Sequence, residues 1–525
     1  MTTATSSPAR RRSDWFKENR NRFATLAILV FLLLAALSGV EREDWFSTIM
    51  QGLSVGAITF LVASGLSLIF GLMDVLNLAH GELFMLGAYV GWTVYTRFDT
   101  VVDILVPLLI LSAPFTLLPL WRSLAAAIGS NPLRRRWAGL GLLAAGATTT
   151  FVSVTRFPLV IWDPGNFAMS PSNFSVQIDL GTLAPLPPDT FGWPAAIAVL
   201  ATLAGGSLLA LGFNVLRGQV DERSVVTRRH LLGFGSLIIA ATVLLAVKEP
   251  LNEWVFGLST TWRFFLAMVV SVAVGSAAGA LIEVALIRPL YDRPIYQLMV
   301  TLGVGFILIE LVREVWGRPE FTMSRPAAFN GTGPGCPGEG LGGFFSGCST
   351  LEAFGSRLRV YNEGFVILAG IVVLIGVTLL LKRTRIGMII RAGVQDPEMV
   401  EALGINVRRV FTLVFALGSG LAAFGGVLAA PSIGLGTGMG AVFLLSAIVA
   451  LAIGGLTSFP GAAAGAVLVG LLQQIIIRYG QSGINLPFLD EPFKPSPTLV
   501  PAAAILLMIV VLLVLPAGLF GRTER

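Results

Sequence analysis

Charge is scarce in this chain, and the shortage narrows the class of protein before any motif is considered. Asp, Glu, Lys and Arg make up 13% of the 525 residues, whereas a soluble domain carries about 25%. Only four lysines occur, at Lys17, Lys248, Lys382 and Lys494, and none stands in a G-x-x-x-x-G-K-[ST] motif. The composition argues against a soluble fold, and the chain carries no phosphate-binding loop of that kind.

Histidine and cysteine are also rare, which removes the common ligands of a metal centre. The two histidines, His80 and His230, are far apart and begin no ligand cluster, so we expect no metal site. The two cysteines, Cys336 and Cys348, lie in one Gly-rich segment between apolar runs. If that segment faces an oxidising compartment we expect a disulfide, and otherwise two free thiols.

Apolar sequence is what the chain has in abundance. Hydrophobic residues make up 55% of it, and they recur in runs of roughly 20, the length that crosses a bilayer. The pattern predicts an all-α polytopic membrane protein with about 14 transmembrane helices. The predicted spans are 24–40, 47–71, 82–97, 103–121, 138–155, 193–216, 231–248, 262–287, 296–316, 362–381, 410–430, 441–456, 461–479 and 498–519.

The basic residues predict the orientation. Two thirds of the 36 Lys and Arg residues fall on one side of the membrane if the N-terminus is cytoplasmic, which is the bias expected of cytoplasmic segments. Both termini and the stretch 382–409 would then be cytoplasmic, and the cysteine segment would be outside, which favours the disulfide. The first span is either a cleaved signal peptide or a retained anchor, and the long basic segment before it favours the anchor.

The stretch 382–409, KRTRIGMIIRAGVQDPEMVEALGINVRR, is too polar to lie within the membrane. Asp396 as N-cap, Pro397 at the first position and Gly404 just past the end predict a two-turn helix over 397–403. A helix this short needs a partner or the membrane surface to be stable, so it is either an interfacial loop helix or a docking element for a cytoplasmic protein. Glu398 and Glu401 are its polar residues, and Met399, Val400 and Leu403 fall on one side at helical spacing.

A second polar interruption, GLMDVLNLAHGE at 71–82, separates two apolar runs. Polar groups at membrane depth are costly and tend to face a bundle interior or a cavity. A broken helix also frees backbone groups that must bond to something. Asn77, His80 and Glu82 therefore belong either to a hairpin loop at the membrane surface or to the polar lining of a translocation path.

Five separated blocks resemble permease subunits of the branched-chain amino acid ABC importer family, which also includes urea permeases. Glu398 and Gly404 match the Glu and Gly of the E-A-A-x-x-x-G loop of ABC importers, while Met399 and Val400 replace its two alanines. The blocks, in the family's order, are 52–91, 282–317, 385–410, 452–470 and 513–522.

The resemblance implies an ABC importer permease bundle in the bacterial inner membrane. The chain would be a transport subunit rather than an enzyme, paired with a second related permease, two cytoplasmic ATPase subunits and a periplasmic solute-binding protein. It would bind no cofactor itself, and ATP would be used by the partner subunits. The cargo would be a small polar organic solute, a branched-chain or related amino acid first, with urea or a short amide as the alternative. The ATPase-coupling residues would be Asp396, Glu398, Met399, Val400, Glu401, Leu403 and Gly404, and the path would include Asn77, His80 and Glu82.

This interpretation divides the chain into four parts. Residues 1–46 form a basic tail and an extra first span, and 47–97 form the first part of the permease core. Residues 98–261 form an inserted accessory transmembrane bundle. Residues 262–525 form the second part of the core, including the coupling loop 382–409. The first span and the inserted bundle lie outside the resemblance, which gives no role for them.

Two other classes of function stay open at this stage. A secondary transporter or channel needs no ATPase and carries intramembrane carboxylates for ion coupling; the candidates are Asp74, Glu82, Glu283 and Glu310. Arg313 lies one turn from Glu310, however, which predicts a local ion pair there. A membrane scaffold or sensor would use 98–261 as its interaction module. The short cytoplasmic helix favours the ABC importer.

Overall fold

The protein is described by a computed structural model, and helices dominate it. The described residues are 24, 25, 27–31, 34, 42–127, 131–156, 195–217, 225–316, 320–333, 335–339, 342, 345–395, 397–456, 458–483 and 491–521. The helices are α1 Arg42–Met73, α2 His80–Thr96, α3 Phe98–Ser112, α4 Leu118–Ala126, α5 Pro132–Arg156, α6 Ala195–Arg217, α7 Arg228–Ala246, α8 Lys248–Gly257, α9 Thr260–Ile282, α10 Pro294–Trp316, α11 Ile367–Arg383, α12 Arg385–Gln395, α13 Pro397–Ala402, α14 Val407–Ile433, α15 Met439–Gly454, α16 Phe459–Ser482 and α17 Leu499–Val514.

Two of these helices have irregular extensions. A π-helical turn, Glu283–Ile287, and a 3-10 turn, Arg288–Leu290, continue α9, and a π-helical segment, Val360–Val366, precedes α11. π-Helical turns are rare and are often found at functional sites. A further 3-10 turn, Ala113–Leu117, joins α3 to α4.

Ten helical segments among the described residues are long and apolar enough to cross a membrane, and α15 and α17 are shorter apolar helices. Helical residues overlap every predicted span from 47–71 to 498–519. The predicted first span, 24–40, lies mostly outside the described residues. The all-α polytopic class is therefore confirmed, whereas a total of about 14 spans stays a prediction.

The described residues fall into two compact units: one takes its residues from 1–92 and 264–525, and the other from 93–263. In the first unit, glycines bring helices into close contact. A Cβ on Gly56 of α1 would lie 3.0 Å from Ala466 O of α16, so the two backbones touch there. Gly275 and Gly279 of α9 face Ala423 and Ser419 of α14 in the same way.

The second unit has its own apolar core. Val102, Val106 and Ile110 of α3 are buried together with Ala198 of α6 and Ala241 of α7. Residues 157–194, within the predicted inserted bundle 98–261, lie outside the described residues. The four-part division of the chain made from the sequence stays a prediction.

A small three-stranded sheet was not foreseen from the sequence. Its strands are β1 Gly338–Glu339, β2 Thr350–Ala353 and β3 Ser356–Arg359; β1 pairs parallel to β2, which pairs antiparallel to β3. The two-residue turn Phe354–Gly355 has positive φ at both positions, as a tight hairpin turn requires. Such short strands leave little alternating pattern to recognise.

The sheet is tied to the cysteines and to the start of α1. A disulfide joins Cys336 to Cys348. The hairpin packs on α1, because Ser356 Oγ donates to Glu43 O and the ring of Phe354 lies 5.0 Å from that of Phe46. The segment therefore forms a folded cap on that end of α1.

Candidate functional site

The loop helices between α11 and α14 form the first candidate site. Thr384 precedes α12, and its Oγ1 accepts from Gly387 N–H at 3.0 Å, which satisfies one free donor of the first turn. Ile390 of α12 is 2% exposed, whereas Ile386 and Met388 are exposed. Helix α12 therefore anchors the loop by one face and presents apolar side chains outward on another.

Helix α13 ends as the glycine pattern predicts. Gly404 has φ +81°, a conformation that glycine adopts without strain. Gly404 N–H donates to Glu401 O at 2.9 Å, and Ile405 N–H donates to Val400 O at 3.2 Å, the pairing of a Schellman motif. The helix ends at Ala402, one residue before the predicted end. The predicted N-cap, Asp396, and the side chain of Glu398 lie outside the described residues.

The apolar side chains of α13 do not share one outward face. Met399 is 62% exposed and Leu403 is 74% exposed, but Val400 is 4% exposed. Adjacent residues lie about 100° apart on a helix, and α13 packs against α12 and α14, so Val400 turns inward. The three residues predicted to share one side therefore differ in exposure. Val400 is covered by its neighbours, whereas Met399 on α13 and Leu403 just past its end are exposed.

The polar interruption between α1 and α2 forms the second candidate site. Helix α1 ends at Met73 and α2 begins at His80, so the predicted break in the helix is confirmed. Asp74 has φ +53° and its N–H donates to Phe70 O at 2.9 Å. Asp is one of the few residues that accept this left-handed conformation readily. The residues after it form a short non-helical segment.

Asn77 and His80 are fully buried in this broken segment and keep unused hydrogen-bonding atoms. Asn77 Oδ1 accepts from Ala79 N–H at 3.1 Å, while Asn77 Nδ2 has no partner among the described residues. His80 Nε2 donates to Val62 O of α1 at 3.1 Å. The neutral ring then presents Nδ1 as an acceptor, and this atom too lacks a partner there.

Glu82 lies in the first turn of α2 in a space made by glycines. It is 6% exposed, and its Oε2 has no hydrogen-bond partner in the described part of the chain. A Cβ on Gly305 of α10 would lie 3.5 Å from Glu82 Cγ, and a Cβ on Gly440 of α15 would overlap Glu82 Oε2. A buried polar group without a partner is costly, so the burial of Glu82 lowers the stability of the fold.

The broken segment also contacts a residue that the sequence did not single out. Thr301 of α10 is fully buried, and its Oγ1 accepts from Leu78 N–H at 3.2 Å. No local signal in the sequence identifies Thr301 or Gly305 as neighbours of 74–82. The structure brings Asn77, His80 and Glu82 into one buried stretch, in which His80 contacts α1 and Glu82 lies against α10 and α15.

The other carboxylates considered for ion coupling have different surroundings. Asp74 is exposed, and Glu310 forms the predicted ion pair with Arg313 at 2.6 Å, which is confirmed. Glu283 is buried and fully hydrogen-bonded. Of the four, Glu82 alone has a buried oxygen without a partner among the described residues.

Comparisons with known proteins agree on one family. A family model described as branched-chain amino acid transport system / permease component matches residues 48–134 and 195–516. No solved structure matches the chain.

Named relatives cover a large part of the chain. The high-affinity branched-chain amino acid transport system permease protein LivH of Salmonella typhimurium is 25% identical over 61% of the chain and 92% of its own length. The corresponding BraD of Pseudomonas aeruginosa is 26% identical over the same shares. The galactose/methyl galactoside import permease protein MglC of Escherichia coli is 27% identical over 48% of the chain and 69% of its own length.

Proposed function

The chain belongs to the branched-chain amino acid transport system / permease component family, and on that premise we propose that it imports a branched-chain or related amino acid with energy from ATP. The observation that carries the proposal is the family match on both sides of residues 135–194. It is a multi-pass membrane transport subunit, and the chemistry of ATP hydrolysis belongs to partner subunits.

The amino acid cargo is supported by the relatives' names. The permeases named for branched-chain amino acids match over 92% of their length, whereas the galactoside permease matches over 69%. An amino acid is therefore a better candidate than a sugar. Urea and short amides remain the alternative cargo, because they resemble an amino acid in their small size and in having a planar polar group.

The complex contains a second related permease, two ATPase subunits and a solute-binding protein. The ATPase docks on α13 and its flanks, where Met399 and Leu403 are exposed beside Arg391, Arg408 and Arg409. A short apolar pair inserted into a groove on the partner is a common way to hold a helix. Asp396, Glu398, Glu401 and Gly404 complete the proposed set of ATPase-coupling residues.

The broken segment lines or gates the translocation path. Asn77 Nδ2, His80 Nδ1 and Glu82 Oε2 are the groups that gain most from a passing polar solute, because each is buried without a partner among the described residues. A zwitterion offers both a donor and an acceptor to such groups. Access switches between two packings, and ATP binding biases them.

Transport by the reconstituted complex tests this proposal. The chain is co-purified with its permease, ATPase and binding-protein partners, and uptake of labelled leucine, urea, acetamide and galactose is measured in proteoliposomes. We expect leucine uptake that needs ATP hydrolysis and every subunit. Uptake by the chain alone, insensitive to ATP depletion, would instead establish a secondary transporter or channel. A titration of the binding protein with the same solutes identifies the cargo independently.

A further inference from the structure

The cytoplasmic end of α9 holds a buried carboxylate with a full set of partners. Glu283 is the first residue of the π-helical turn and its side chain is 0% exposed. Arg288 Nη2 donates to Glu283 Oε2 at 2.9 Å, and Arg288 Nε donates to Oε1 at 3.2 Å. This two-point contact fixes the orientation of the carboxylate as well as its charge.

Two hydroxyl groups complete the set, and one of them comes from α14. Tyr291 donates to Glu283 Oε1 at 2.5 Å. Thr412 accepts from Arg288 Nη2 at 2.6 Å, and its one hydroxyl proton is shared between Glu283 Oε2 at 2.7 Å and Arg408 O at 2.9 Å. The ring of Tyr291 also meets Phe411 edge-on at 5.8 Å. The end of α9 and the start of α14 are therefore joined by polar and aromatic contacts.

The protonation states keep this cluster intact. Burial, followed by the hydrogen bond with Glu283, raises the pKa of the Tyr291 phenol far above its usual range, so it retains the proton that it donates. Arg288 stays charged at all relevant pH values. Glu283 is fully buried and Arg288 is 29% exposed, and their two-point contact fixes the orientation of the carboxylate.

The position of Thr412 links the cluster to the docking element. Thr412 lies near the start of α14, which begins at Val407 directly after α13 and its capping turn. Helix α13 packs against α14. A displacement of α13 by a bound protein therefore moves the hydroxyl that is held by Glu283.

Hydrogen bonds continue from the cluster to the broken segment. Gln297 Nε2 in the first turn of α10 donates to Leu290 O at 2.7 Å, which ties α10 to the turn that carries Arg288. About one turn further along α10, Thr301 accepts from Leu78 N–H at 3.2 Å. Leu78 lies between Asn77 and His80. A continuous set of contacts thus joins the docking element to the candidate gate.

We propose that the cluster of Glu283, Arg288, Tyr291 and Thr412 transmits movement of the docking helix through α10 to the broken segment 74–79. The proposal rests on the proposed function, because it needs an ATPase on α13 and a gate at 74–79. The four residues are positioning residues and touch no cargo.

The ratio of solute imported to ATP hydrolysed tests the proposal in the full reconstituted complex. Thr412→Val removes the hydroxyl while Arg288 still neutralises Glu283. We therefore expect the variant to fold and to bind the ATPase subunits. We expect this ratio to fall by about tenfold, the size of a typical coupling between sites, with Thr412→Ser restoring it. The matched control is Glu310→Gln, which removes the exposed Glu310–Arg313 pair and leaves the ratio unchanged.

A double-mutant cycle distinguishes a shared route from general damage. Thr301→Val removes the other end of the route, so the combined Thr412→Val, Thr301→Val variant should lose little more than either single variant. If the double variant instead loses the product of the two single-variant fold-losses, the two positions act independently and the proposal is overturned. A wild-type ratio in folded Thr412→Val would also overturn it. Should Thr412→Val fail to assemble, Tyr291→Phe provides the same comparison at Oε1. Absence of ATP-driven uptake by the wild-type complex would refute the proposed function and this inference together. ATP-driven uptake by the wild type, with an unchanged ratio of solute to ATP in the variants, would refute only this inference.

Discussion

At the scale of single residues, Glu82 is a buried carboxylate whose Oε2 has no hydrogen-bond partner among the described residues. Its carboxylate fits only because Gly440 has no side chain at the point of contact. Polar residues at membrane depth persist where they serve a pathway or are paired. The Glu82 carboxylate therefore depends on the space left by Gly440, and a methyl group added at position 440 tests this dependence.

Gly440→Ala should impair both packing and transport. The added Cβ overlaps Glu82 Oε2 and the α2 backbone at Gly81, so we expect a loss of stability of about 1–3 kcal/mol, the usual cost of overpacking. The measurement is the midpoint of thermal unfolding in detergent together with uptake by the complex. Gly303→Ala on α10 is the control, because a Cβ there meets nothing within 4 Å. Equal behaviour of the two variants would contradict the tight fit.

At the scale of elements, α13, the proposed docking helix, ends where the local sequence predicts, but its orientation is set by packing against other helices. Its two turns are too few to be stable alone, and Val400 holds it against α12 and α14. Because Val400 is buried, Met399 and Leu403 are the exposed apolar residues through which we propose that the partner binds.

Changes on α13 should separate docking from folding. Glu398→Lys reverses a charge at the motif's glutamate, and Gly404→Val forces a branched side chain into a left-handed turn at about 1–2 kcal/mol. We expect both variants to keep the bundle folded and to lose co-purifying ATPase. Gly393→Ala on α12 is the matched control, since a Cβ there meets no atom within 4 Å. Normal ATPase recovery with both variants would show that this helix is not the docking site.

At the scale of the whole molecule, orientation decides which surfaces meet which partners. The distribution of basic residues predicts that α12 and α13 are cytoplasmic and that the sheet with its disulfide is outside. An oxidising exterior suits the Cys336–Cys348 bond. The proposed docking of an ATPase and the proposed delivery by a binding protein both require this orientation.

Labelling of single cysteines in spheroplasts checks the orientation. In a background of Cys336→Ser and Cys348→Ser, a membrane-impermeant maleimide should label Glu352→Cys, the exposed position of the central strand β2, without permeabilisation. Glu401→Cys on α13 should react only after permeabilisation. The reverse pattern would invert the topology and remove α13 from the ATPase side. An unchanged midpoint of thermal unfolding in detergent for each variant confirms that the labelled protein is native.

The sequence by itself determined that the chain is a helical membrane protein. An apolar run of about 20 residues in a bilayer must satisfy its backbone groups within itself, so length and hydropathy predict a helix without knowledge of neighbours. The same locality explains why Gly404 marked the end of α13 and why 71–82 marked a break between α1 and α2. The small sheet escaped prediction because strands of two to four residues carry too short a pattern.

Only the tertiary structure decided which polar groups meet. Periodicity placed Met399, Val400 and Leu403 together, but it contains no information on which side the neighbouring helices cover. Thr412 reaches Glu283 across 129 positions, and Thr301 reaches Leu78 across 223. Contacts at such separations depend on how whole helices pack, because each apolar span is free to pair with several others until close glycine contacts and buried hydrogen bonds select one arrangement.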